Sequence, residues 1–138
     1  MSQAVSILAL TLRASGNVLP YRCVGFGDGQ IAAQGAKVKG VSDYGAAEGE
    51  LYAATVVGTA IVETGAAIAA GDALISDVQG RAIPSTGPLA VKAGATPVTS
   101  TAANGAVLQG GDPPEFVFAD ALGAASGPGK FIEILLRR

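Results

Sequence analysis

The chain has no histidine and no tryptophan, a single cysteine, three tyrosines and four phenylalanines in 138 residues. Without histidine it lacks the commonest general base and the commonest metal ligand. One cysteine excludes an intrachain disulfide framework and a Cys-cluster zinc site. Charge is scarce as well: nine basic residues stand against eleven acidic ones, for a net −2. That balance leaves no electrostatic footprint for nucleic acid. Long apolar runs are missing too. The longest uncharged stretch, Ala93–Gly111, is broken by Gly, Thr, Ser, Pro and Asn, and Leu51–Val62 is apolar over only 12 residues. Neither suits a membrane helix. No basic segment precedes the first apolar stretch, so no secretory signal is expected. The lone cysteine fits synthesis in a reducing cytoplasm.

What the chain has in quantity is glycine, 20 residues, in a composition that is 49% hydrophobic. Leu, Ile, Val and Phe together make up about a quarter of the residues, enough for a core at this length. Gly and Pro recur so often that only Met1–Ser15 could hold a helix of ordinary length. That segment alternates instead, with Leu8, Leu10 and Leu12 on one face and Ala9, Thr11 and Arg13 on the other, the period of a strand. Further strands are predicted over Tyr21–Phe26, Gln30–Ala33, Lys37–Ser42, Glu50–Val57, Thr59–Val62, Asp72–Ser76, Arg81–Pro84, Phe116–Ala119 and Lys130–Arg137. Turn chemistry separates them. Asp28 and Gly29 belong to one hairpin loop, Gly71 and Asp72 to a second turn, and Asp77 and Gly80 bound a third. Many short strands with regular turns predict a single all-β domain over residues 1–138, a barrel or sandwich.

An internal echo runs through the pattern. Gly45-Ala46-Ala47-Glu48-Gly49 returns as Gly123-Ala124-Ala125-Ser126-Gly127, 78 residues later, and the hairpin of Val18–Ala33 corresponds to Ile68–Ile83 at about 50. Two similar β units are expected, the second carrying about 28 extra residues. Ser85–Pro114 supplies them: it is rich in Gly, Ala, Thr, Ser and Pro, with Lys92 and Asp112 its only charges. With few large side chains it reads as an excursion from the barrel, neither core nor a domain of its own.

No chemical constellation stands out. Gly25-Phe26-Gly27-Asp28-Gly29 lacks the following Lys-Ser/Thr of a phosphate loop and reads as a hairpin turn. Asp72 and Asp77 are too few oxygens for calcium and read as turn residues. Glu48, Glu50 and Glu63 are the only clustered carboxylates. Glu48 and Glu50 are expected on one face of a strand start, as solvated groups. Cys23, beside Arg22, has no base to activate it and reads as core. Lys92 lacks the neighbours of a modified carrier lysine. No catalytic, cofactor-binding or metal-binding residue is therefore expected, and no cofactor.

Three stretches carry a resemblance when taken together. They are Gly58-Thr59-Ala60-Ile61-Val62-Glu63-Thr64-Gly65-Ala66-Ala67-Ile68-Ala69-Ala70-Gly71-Asp72, then Asp77-Val78-Gln79-Gly80-Arg81-Ala82-Ile83-Pro84, and Ala121–Gly127 leading into Phe131–Leu136. Their order and spacing resemble the head decoration, or capsid cement, proteins of tailed bacteriophages. Ile7–Leu12 and Lys39-Gly40-Val41 fit as well, so the resemblance spans most of the chain outside Ser85–Pro114.

The resemblance implies a small β-barrel or β-tulip-like domain that binds the major capsid protein on the exterior of an assembled head and stabilises it, with neither membrane nor nucleic acid as partner. It implies homotrimers at three-fold positions and synthesis in the host bacterial cytoplasm. Contacts are expected on the N-terminal arm, Met1–Leu12, with Met1, Ser2, Gln3, Ala4, Val5 and Ile7 reaching a neighbour while Ser6–Leu12 closes the fold. The alternative is a barrel-sandwich or clip-like β domain acting as a ligand-binding or carrier module, since Ile68-Ala69-Ala70-Gly71-Asp72 resembles the turns of such folds.

Overall fold

The alternating, glycine-free segment Ser6–Arg13 forms the first strand, β1, in a computed structural model that describes residues 4–85 and 115–137. β1 pairs antiparallel with the first half of β4 (Leu51–Glu63), from Ser6 opposite Gly58 to Arg13 opposite Leu51. Between them lie β2 (Cys23–Val24) and β3 (Gly40–Ser42), which pair with each other, and β3 pairs on to β4. The second half of β4 pairs with β8 (Phe131–Leu136), β8 with β7 (Ala119–Ala121), β7 with β5 (Ala73–Ser76) and β5 with β6 (Ala82–Pro84). A parallel bridge from Ala82 to Thr64, with Gly65 N–H donating to the Ala82 carbonyl at 2.8 Å, brings β6 back to the end of β4. The result is an all-β, nearly closed barrel-like sheet, with no helix among the described residues.

Two units repeat within it. The pair Arg13–Leu51 recurs as Glu63–Phe131, Leu12–Tyr52 as Val62–Ile132, Cys23–Val41 as Ala73–Asp120, and Val41–Thr55 as Asp120–Leu135. The shift is 50 residues early in each unit (13 to 63) and 79 or 80 late in it (41 to 120, 51 to 131). The expected duplication is present, but the 78-residue echo is out of register. Ala46, bridged to Val18, corresponds to Ala125, bridged to Ile68, while Gly49 corresponds to Gly129. The second turn holds one more residue than the first between its bridge and its strand.

The long strand β4 belongs to both units, which is why two predicted strands, Glu50–Val57 and Thr59–Val62, are one. Gly58 joins them at φ +108°. A side chain there would meet the Val5 carbonyl and lie 2.8 Å from the Ile7 nitrogen, so only glycine lets the arm lie against β4.

The cores repeat as well. Leu12, Val18, Val24, Tyr52 and Ala54 pack together in the first unit; their counterparts Val62, Ile68, Leu74, Ile132 and Ile134 do so in the second. The second core also takes in Cys23, Ile31, Val38 and Val41 from the first unit. The interface between units is therefore continuous with the larger core. Polar bonds tie its rim: Cys23 N–H to the Gly80 carbonyl (2.7 Å), Glu63 N–H to the Tyr21 carbonyl (2.9 Å) and Arg22 to Glu63 (2.9 Å).

Several predicted strands are shorter than expected. Tyr21 sits at φ 60°, which bends the chain and leaves only Cys23–Val24 in the ladder. Its ring meets Phe131 edge-on, with centroids 5.4 Å apart. Lys37–Ser42 reduces to Gly40–Ser42, and of Gln30–Ala33 only Gln30 bridges. The chain after Ile31 leaves to dock on the second unit, where Gly35 N–H reaches the Ser76 carbonyl at 2.8 Å. Phe116–Ala119 gives way to Ala119–Ala121, since Phe116 N–H is taken by the Gly35 carbonyl. The excursion Ser85–Pro114 lies, apart from Ser85, outside the described residues.

Candidate interaction surface

The turn residues read from the sequence are placed by the fold as turns. Asp28, at φ 66°, closes the loop in which Gly25 N–H donates to the Gly29 carbonyl, and its carboxylate pairs with Lys39 at 2.6 Å. A Cβ on Gly29 would come 2.5 Å from the Ser15 hydroxyl. Gly71 takes φ +91°, at the position Tyr21 holds in the first unit, and Asp72 accepts the Ala69 N–H at 2.9 Å. The buried Asp77 accepts the N–H groups of Gln79 and Arg81 at 2.8 Å each and pairs with the Arg81 guanidinium at 3.0 Å, while Gly80 sits at φ +75°. These aspartates spend their oxygens on backbone, as turn residues do.

The candidate chemical groups are spread apart. Glu50 does not stand on a strand face with Glu48; it bends back so that its carboxylate accepts the Ala47 N–H at 2.7 Å. Glu63 is held by Arg22 in the unit interface. Among the described residues no cluster of His, Cys, Asp and Glu could hold a metal ion. Cys23 is fully buried, and burial pushes its thiol well above the ordinary range. Tyr52 is buried with its hydroxyl donating to the Asp28 carbonyl at 2.8 Å; burial, then the Asp28 charge, push it up to about 12. Asp120 is held below its ordinary value by the Arg137 guanidinium that donates to it. Lys92 lies outside the described residues.

The two raised groups give a pH dependence. Each holds its proton more tightly when folded, so each contributes stability that is present below its ordinary value, 9.0 for Cys23 and 10.0 for Tyr52. That stability is lost as pH rises past those values. The urea midpoint is expected to fall between about pH 9 and pH 11, and the double variant Cys23→Ala, Tyr52→Phe to fall less steeply. A midpoint that stays level over that range in the unmodified protein would contradict the assignment.

What the surface offers instead is apolar strand. Ile7 is 74% exposed and Val5 57%, and Leu8 and Leu10 are exposed although Leu12, on the same expected face, is buried. The first unit has no unit before it to cover β1, whereas β4 in the second unit is covered by the first. Val5 is itself tied down: its N–H donates to the Thr59 hydroxyl at 2.7 Å and its carbonyl accepts the Thr59 N–H at 2.9 Å. Of the arm residues singled out, Ala4, Val5 and Ile7 are exposed at the start of β1, and Met1, Ser2 and Gln3 lie outside the described residues. The sequence pattern located this arm but not its exposed leucines, since alternation alone does not tell a covered face from a bare one.

No helix among the described residues is long and apolar enough to cross a membrane. No protein-family model matches the chain, and no curated protein sequence does. Among solved structures, the chain is similar to the N base of the head fiber gp8.5 of bacteriophage phi29, with a TM-score of 0.60 and 21% identity over 94% of this chain and 93% of that one. At that identity the likeness establishes a shared fold, extending over nearly the whole of both chains.

Proposed function

We propose that this chain is a structural component of a phage virion that binds the exterior of the assembled head and strengthens it. The observation that carries the reading is the fold shared, almost end to end, with the base of a phage head fiber. Three features support it: the decoration-protein resemblance of the turn motifs, the lack of any assembled reactive group, and the exposed apolar strand at the N-terminus. A contiguous apolar surface of this kind marks an interaction site. The protein is catalytically inert in this reading. It acts by mass action, because a ligand of the assembled shell that ignores its free subunits shifts the balance toward the shell. The major capsid protein is its partner, and the arm contributes by adding a strand or filling apolar pockets. Copies associate with one another on the shell, as trimers at three-fold positions.

Co-sedimentation with DNA-free heads tests this. The full chain is expected to pellet saturably with assembled heads and not to bind unassembled major capsid protein. Because Val5 is bonded to Thr59, the informative truncation stops before it. Removing residues 1–4 is expected to leave the melting temperature unchanged and weaken head binding severalfold. Equal binding to free subunits would overturn the reading, and unchanged affinity in the truncation would move the contact off the arm.

A further inference from the structure

We propose that the chain associates head to tail with a second copy, the outer face of one copy's second unit seating on β1 of the next. The contact repeats the one that already joins the two units within a single chain. It specifies surfaces for the self-association in the reading above but rests on the internal duplication alone, so its failure would leave head binding standing.

The internal contact is formed by one set of positions from each unit. The first unit gives the Tyr21 carbonyl to Glu63 N–H and the Arg22 guanidinium to the Glu63 carboxylate. The repeat register assigns counterparts to these groups. Fifty residues separate Arg13 from Glu63 and Arg22 from Asp72, so the second unit presents Asp72 where the first presents Arg22. Likewise β1 presents Arg13 where β4 presents Glu63. Both signs are reversed together, which keeps the pair attractive across a contact between copies.

Neither residue forms an ion pair among the described residues. Arg13 donates to the Gly49 carbonyl, and Asp72 accepts a backbone N–H. The left-handed turn is kept too, with Tyr21 at φ 60° and Gly71 at φ +91° at matching positions.

The apolar surface around Arg13 is bare where its counterpart is covered. Leu10 is 37% exposed, whereas Ala60, its counterpart, is 2% exposed beneath the first unit. Leu51, whose counterpart Phe131 meets Tyr21, is 55% exposed. β1 thus looks like the receiving face of the internal contact with its donor removed. The second unit differs at one point. Where the first sends Val41 into the core, it has Asp120, paired with Arg137 at 2.6 Å. The contact between copies is therefore more polar than the internal one, hence weaker and salt-sensitive. Such a heterologous contact closes into a ring or runs on as a chain, according to its rotation.

Sedimentation equilibrium on the purified full chain is the test. The unmodified protein is expected to associate with rising concentration, and more weakly at high salt. Arg13→Glu and Asp72→Lys are each expected to weaken association about tenfold or more, and the double variant to restore it, since the charges are again opposite across the contact. Asp72→Asn keeps an acceptor for the Ala69 N–H, and so reads the same loss if the lysine variant fails to fold. A monomeric protein at all concentrations, single variants that associate like the unmodified chain, or a double variant no better than the singles would overturn the proposal.

Discussion

Ile134→Ala is expected to lower the stability of the chain by on the order of 2–5 kcal/mol, the usual cost of emptying a fully buried aliphatic site. Ile134 has no exposed surface and lies between Ala60 on β4 and Ala121 on β7, so its side chain joins three strands of the second unit. Those neighbours are small and held in ladders on both sides, which leaves little freedom to collapse into the space. The matched change in the first unit removes less. Ala54, the counterpart of Ile134, carries one methyl group, and the first core is the smaller of the two. Urea unfolding would show the effect as a lower midpoint with the slope unchanged. A loss below about 1 kcal/mol would mean that the second core is looser than its burial indicates.

Gly58→Val is expected to have the next largest effect. The backbone there has φ +108°, a region that β-branched residues avoid, at a cost of about 1–3 kcal/mol. Space is lacking as well, because a Cβ would press on the Val5 carbonyl and the Ile7 nitrogen. The arm must then leave β4, giving up both bonds between Val5 and Thr59. Gly58→Ala should act in the same direction and less strongly. Hydrogen exchange at Thr59 N–H reports the detachment directly: protection there should drop in both variants while that of the β8 amides persists. Unchanged protection at Thr59 would contradict this account of the arm.

Much of the fold was legible because its signals are local. Alternation marked β1, and Asp-Gly turn chemistry marked the loops at Asp28 and Asp77. The duplication was visible as well, through glycine-alanine turns that both units need for the same bend. What escaped were features decided by contacts across the chain. The sequence gives no sign that Gly58 continues a strand instead of ending one, since that depends on the arm lying against it. Gln30–Ala33 has strand-like residues but is drawn off by the Ser76 carbonyl. Tyr21 in a left-handed turn could not be foreseen from its type, because its ring contact with Phe131 is what holds it there. The arm was found from its lack of charge; the charge reversal of Arg13 and Asp72 became meaningful only with the repeat in register.

Head stabilisation is the central claim, and calorimetry of the head itself tests it most directly. DNA-free heads are heated alone, and again with the full chain at a concentration that saturates them. The account predicts that the transition of the head shell moves to higher temperature in proportion to occupancy, as binding to the assembled state alone requires. A shell transition that stays in place when the chain is bound, or that moves to lower temperature, would contradict it.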